Sequence, residues 1–205
     1  MVRFLVQFSL LVAAAYIVVT SAWLREHAQD TLPDAAASVG VTLPLSEPRI
    51  VASVSRGCVE LFDGGVLVKR YPAGFGRHRV PGLVGGEHAS TPVGEYVVTR
   101  SAVREQPLVR GARWIEIDFP SEEDAARAFD QGLIDLDAFD RIVRARRRGE
   151  TPPCPPSLGG PFGIQGNFFT VSPKHCTDGS IALSNADVIE LWRHAPVGTP
   201  VTIVP

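Results

Sequence analysis

From Arg49 onward short apolar runs alternate with turn-forming residues, and this interruption sets the kind of fold open to the chain. The runs 50–54, 59–62, 66–71 and 96–99 are rich in Val, Ile and aromatic residues, and runs of this length bounded by turn residues form strands. The pair Asp63-Gly64, followed by Gly65, separates the second and third runs. A type I′ turn needs positive φ at both central residues, so this spacing predicts a β-hairpin over 58–71. Further on, Trp114-Ile115-Glu116-Ile117-Asp118-Phe119 alternates apolar and charged residues, the pattern of a strand with one buried face.

Helices are also encoded, but sparsely. Ser121 with Asp124 three residues later forms a capping-box pattern, predicting a helix to about Gln131. Phe139, Ile142 and Val143 recur at helical spacing and predict a second helix over 137–148. Pro152, Pro153, Pro155 and Pro156 forbid its continuation. The last third reads as strand 162–165, loop 167–178, strand 180–183, helix 186–195 capped by Asn185 or Ser184, and strand 201–204. The glycine-rich stretch 74–86 reads as a long surface loop and lacks P-loop spacing. The 17 prolines and 19 glycines among 205 residues fit this turn-rich reading.

Ahead of this domain, residues 4–24 are almost entirely apolar, with Arg3 before them and Arg25, Glu26 and His27 behind. That length suits a transmembrane anchor. Thr20, Ser21 and Ala22 also suit signal peptidase, so residues 1–26 read as anchor or signal peptide. Both readings carry the rest of the chain out of the cytoplasm, to an envelope-facing or secreted position. Residues 27–48 mix Ala, Pro, Ser and Asp without sustained period and read as a linker to a domain spanning 49–205.

A formal charge of -2 offers no positive field for nucleic acid. The run Arg144, Arg146, Arg147 and Arg148 is a solvated helix end in this reading. Three cysteines, Cys58, Cys154 and Cys176, show no zinc spacing. Cys154 with Cys176 is the pair to test for a disulfide in an oxidising compartment. No metal or other cofactor is expected.

Several motifs resemble one family. They are Thr91-Pro92-x-Gly94-x-Tyr96, the strand Ile117-Asp118-Phe119-Pro120 with Glu123-Asp124-Ala125-Ala126-Arg127-Ala128 behind it, Leu158-Gly159-Gly160, and Phe162-Gly163-Ile164-x-Gly166. The C-terminal run Thr177-Asp178-Gly179-x-Ile181-Ala182-Leu183-Ser184-Asn185, with Gly198-Thr199-Pro200-Val201 after it, is the most specific. Together they resemble the L,D-transpeptidase (YkuD-type) family nearly continuously from Arg49 to Pro205.

The resemblance implies a mainly β, sandwich-like domain with a few short helices. It also implies a cysteine thiolate that attacks a peptidoglycan stem-peptide carbonyl and passes the acyl group to an amine. The family's cysteine and histidine positions fall on Ser180 and Gln165. A hydroxyl is a far weaker acid than a thiol, and a glutamine amide cannot shuttle a proton as imidazole does. The resemblance therefore points to a domain that binds peptidoglycan stem peptides or an envelope protein after losing cysteine-based acyl transfer. The alternative is an active L,D-transpeptidase or hydrolase using Ser180 or Cys176. Cys176 lies roughly 13 Å of extended chain before Ser180, and adjacent His175 would face the opposite way on a strand. Asp178 is a candidate base. Backbone N–H groups around Gly166, Thr177, Asp178, Gly179, Ser180 and Ile181 are candidates for an oxyanion nest, and Arg77, His78 and Arg79 for substrate carboxylates.

Overall fold

The computed structural model describes residues 30–76, 90–104, 112–167 and 175–205. Among them no helix is long and apolar enough to cross a membrane. The apolar segment 4–24 lies outside the described residues.

Among the described residues, ten strands and four short α-helices build a mainly β domain, as the sequence predicts. The strands are β1 (Pro48–Ser53), β2 (Cys58–Asp63), β3 (Val66–Pro72), β4 (Phe75–Gly76), β5 (Gly94–Val103), β6 (Arg113–Ile117), β7 (Gly163–Asn167), β8 (His175–Thr177), β9 (Ile181–Ser184) and β10 (Pro200–Val204). Eight of them form one mixed sheet in the order β3-β2-β1-β10-β5-β6-β7-β9, and β4 pairs with β8. The expected sandwich is one continuous sheet curled until its edges meet. Just past β3, Gly74 exchanges both backbone hydrogen bonds with Ala182 of β9, each 2.8 Å.

The hairpin β2–β3 forms where predicted. Asp63 pairs with Val66 across Gly64 and Gly65, whose φ values of 52° and 88° are those a type I′ turn demands. Alternation then sorts side chains. Ile50, Leu61, Ile115, Ile164, Leu183 and Ile203 are buried in a single core, each contributing about 1.5–3 kcal/mol by leaving water.

The helices are α1 (Leu32–Ser38), α2 (Glu122–Asp130), α3 (Leu136–Arg147) and α4 (Asn185–His194). Ser121 and Asp124 make the predicted capping box of α2. Asp124 is fully buried and also accepts the Tyr96 hydroxyl at 2.7 Å and pairs with Arg127. Tyr96 of one motif and Asp124 with Arg127 of another are thus one hydrogen-bonded unit joining β5 to α2. Burial, together with the adjacent Asp124 carboxylate, drives the Tyr96 phenol pKa well upward, so it stays a donor.

Two features differ from the sequence reading. Helix α1 lies inside the stretch read as a linker, with Thr31 as its N-cap and Leu32 and Ala36 buried. At seven residues it cannot persist alone. It is held by Leu32 N–H donating to Glu190 of α4 at 2.8 Å. Second, Cys154 is a free thiol whose Sγ lies 3.1 Å from the Gly160 carbonyl oxygen, so the disulfide with Cys176 is not made. Burial pushes the Cys154 thiol up to about 11.

Candidate functional site

Strand pairing brings distant parts of the sequence onto one face. Ala102 of β5 pairs with Trp114 of β6, Trp114 with Gln165 of β7, and Gln165 with Ala182 of β9. One row along, Arg100 pairs with Glu116 and Glu116 with Gly163. Ser180 immediately precedes Ile181, the partner of Ile164, and so continues this second row beside Gly163. Directly paired residues share a face of the sheet and alternate residues repeat it. Ile115, Ile117, Ile164 and Ile181 therefore point into the core, while Gln165 and Ser180 share the opposite face. Their Cα atoms are about 8 Å apart by strand geometry, one diagonal step across neighbouring strands.

Glycine 163 is required first by the backbone of β6: a Cβ there would overlap the Ile115 carbonyl oxygen and would also stand 3.0 Å from Trp114 Cζ2. The Trp114 indole N–H donates to Glu116 at 3.0 Å, and Arg100 approaches the same carboxylate at 3.8 Å. Beyond the end of β5, the Arg104 guanidinium stacks 4.7 Å from the centre of the Trp114 ring. Its Nη1 donates to Gln165 Oε1 at 3.5 Å, a long hydrogen bond. Gln165 and Ser180 are both half-buried.

The turn before β9 is fixed by its own backbone. Gly179 has φ of +117°, and a Cβ there would overlap the Phe162 ring and stand 2.8 Å from the Ser90 carbonyl. Thr177 Oγ1 donates to the Ser180 carbonyl and accepts the Gly179 N–H at 3.3 Å. The Gly179 amide expected in an oxyanion nest is thus engaged within the turn. Asp178 is exposed, and among the described residues no hydrogen bond reaches the Ser180 hydroxyl. Ile181 is buried in the core.

Gly166 has a separate reason. A Cβ there would overlap Asn185 Oδ1 and stand 2.8 Å from Ala112 N. Asn185 Oδ1 accepts the Ala112 N–H at 2.8 Å, so this motif asparagine ties β6 to α4 across the glycine. The helix is capped by Ser184, which accepts the Asp187 N–H at 3.1 Å. Thr91 of the other motif accepts the Gly76 N–H at 2.9 Å.

His175 and Cys176 lie on β8, with Phe75 opposite His175 and Gly76 opposite Thr177; their side chains lie outside the description. Arg77, His78 and Arg79 lie outside the described residues. Among the described residues no group of His, Cys, Asp and Glu is arranged to hold a metal. Sequence reasoning missed Arg104 and its stacking on Trp114. The alternation over 114–119 already put Trp114 and Glu116 opposite the buried isoleucines, and that was the available signal.

The family model of YkuD, the L,D-transpeptidase catalytic domain, matches residues 47–203. No curated protein matches the chain. Among solved structures, Bdellovibrio bacteriovorus Bd1075 aligns at 18% identity with a TM-score of 0.49, covering 80% of this chain and 49% of that one. An L,D-transpeptidase from Xylanimonas cellulosilytica aligns at 17% identity with a TM-score of 0.46, covering 83% and 68%. The helical cell shape determining protein Pgp2 from Campylobacter jejuni aligns at 16% identity with a TM-score of 0.48, covering 78% and 47%. The chain thus spans about half the length of Bd1075 and Pgp2.

Proposed function

Because the chain belongs to the YkuD family of L,D-transpeptidase catalytic domains, we propose that it is an envelope-facing relative that binds peptidoglycan stem peptides without cysteine-based acyl transfer. In this reading residues 1–26 tether or export the domain, and Ser180 and Gln165 stand at the family's cysteine and histidine positions. Acyl transfer would require a nucleophile on this face to lose a proton to a nearby base as it attacks the peptide carbonyl. The Gln165 amide accepts no proton at neutral pH, and its carbonyl oxygen is turned to Arg104. That contact carries the reading: where a base would sit, the chain has an amide held by a permanent cation.

Binding does not need the missing chemistry. The sheet face that carries half-buried Gln165 and Ser180 over the buried Trp114 combines an apolar floor with directed donors, the usual composition of a peptide site. The test is to incubate the full chain with a synthetic stem tetrapeptide and follow binding by NMR titration and intact mass in parallel. Saturable shifts with unchanged mass are expected. An acyl-enzyme mass or a released D-amino acid would overturn the binding-only reading in favour of catalysis by Ser180 or Cys176.

A further inference from the structure

Resting on the reading of residues 1–26 as a tether, we propose that the strap 31–47 is a clasp that holds the domain close against a lipid bilayer. A slack linker over 27–48 would let the domain stand about 25 Å away on average, and up to roughly 75 Å when stretched. Instead the chain is fastened from Leu32 onward. Leu32 and Ala36 are buried in the main core, and Val41 and Leu45 pack against it. At the far end of the strap the Glu47 N–H and the Ser46 hydroxyl donate to Asp63 at 2.6 and 3.2 Å. Only residues 27–30 remain between the tether and the N-cap Thr31, and they reach at most about 14 Å.

The fastening lies where a tether would pull. The first helical amide of α1, the Leu32 N–H, donates to Glu190 at 2.8 Å, and that carboxylate is itself held by buried Lys69 and by the Tyr71 hydroxyl of β3. A plain spacer needs no such seat, since seven residues do not hold a helix alone and a solvated linker buries nothing. The clasp is also fixed relative to the candidate site. Helix α1 lies on β3, and just past β3 Gly74 is bonded to Ala182 of β9. Ser184, at the end of β9, caps the helix that carries Glu190. The strand that follows Ser180 therefore moves with the clasp. A domain of this length is roughly 40 Å across, so its site stays within about 55 Å of the bilayer, where a slack linker would let it range to about 115 Å. The stem peptides within reach are those at the membrane side of the wall.

The experiment places the full chain in a supported bilayer and measures, by neutron reflectometry, the water gap between the lipid headgroups and the protein. A gap of no more than about 15 Å is expected. Two variants calibrate it: a flexible Gly/Ser insertion of about twenty residues between His27 and Ala28, which leaves the domain untouched, and Glu190→Ala, which releases the first turn of α1. Each should widen the gap about twofold. Circular dichroism shows whether Glu190→Ala is folded at the temperature used, and where it is not, the comparison of wild type with the insertion variant decides alone. A wild-type gap as wide as that of the insertion variant would overturn the clasp and leave the tether standing. Recovery of the chain from cells without its N-terminal segment, read by intact mass, would overturn the tether and the clasp with it.

Discussion

At the scale of single residues, the motif glycines are set by contacts and not by flexibility. Gly179→Ala would combine a left-handed backbone with overlap onto Phe162, and a loss of roughly 3–5 kcal/mol in urea unfolding is expected. Gly64→Ala, with φ of +52° and nothing within 4 Å, should cost only about 1–2 kcal/mol. Equal losses would mean that the Phe162 contact relaxes freely. Glu60 is the second residue with a definite consequence. Its buried carboxylate accepts from Arg56 at 3.0 and 2.8 Å and from Arg70 at 2.9 and 2.7 Å. Burial alone would raise its pKa, but the hydrogen bonds from Arg70 and Arg56 outweigh it and leave the group below the usual glutamate range. A carboxyl that binds protons more weakly when folded contributes stability above its unfolded pKa and loses it as pH falls through the folded value. Glu60→Gln should therefore be less stable than the wild type at about pH 6, with the gap closing towards about pH 3. Urea midpoints measured across that range check this, and a gap that stays constant would refute it.

At the scale of elements, Glu190 is the bond between the N-terminal helix and the sheet. It pairs with Lys69, whose side chain is 8% exposed, accepts the Tyr71 hydroxyl at 3.1 Å and receives the Leu32 N–H. Glu190→Ala would strand a buried ammonium and an unpaired helix amide together, so a loss of roughly 3–5 kcal/mol is expected. Glu190→Gln, which keeps acceptors, should lose less. Thermal unfolding by circular dichroism measures both, and an unchanged midpoint in Glu190→Ala would mean that the Glu190 contacts contribute nothing to stability. This same contact explains why α1 was illegible. The sequence carries its local signals, Thr31 as cap and Pro33 in the first turn, but Ala35, Ala36 and Ala37 give no amphipathic period. The partner that stabilises it is 158 residues away. The β2–β3 hairpin was legible for the opposite reason, since Gly64 and Gly65 determine it locally. Strand β5 runs to Val103, beyond the predicted 96–99, because Arg100 and Ser101 are held by pairing with Glu116 and Ile115 and not by an apolar pattern of their own.

At the scale of the whole molecule, the site is a property of how the sheet is threaded. Motif order placed Gln165 and Ser180 in the chain, but their sharing a face follows from parallel pairing of β7 with β9 across a long intervening segment. Arg104 joins them only because β5, β6 and β7 are consecutive in the sheet, and no local sequence pattern announces that. This threading permits a test of whether the fold still holds the geometry that acyl transfer needs. With Cα atoms about 8 Å apart on one face, a histidine at 165 and a cysteine at 180 are within joint side-chain reach. The Arg104 guanidinium beside position 165 would disfavour a protonated imidazole, keeping it neutral and able to take the thiol proton near pH 7. Gln165→His with Ser180→Cys is therefore expected to gain the mass of a carbapenem over time, while each single variant gains none or reacts far more slowly. Adding Arg104→Met should move the acid limb of that reaction to higher pH, because the imidazole then holds its proton more tightly. A folded double variant that stays unmodified would mean that exchanging the two side chains is not enough, and that the turn holding Gly179 N–H against Thr177 has closed the place where an oxyanion would have to sit.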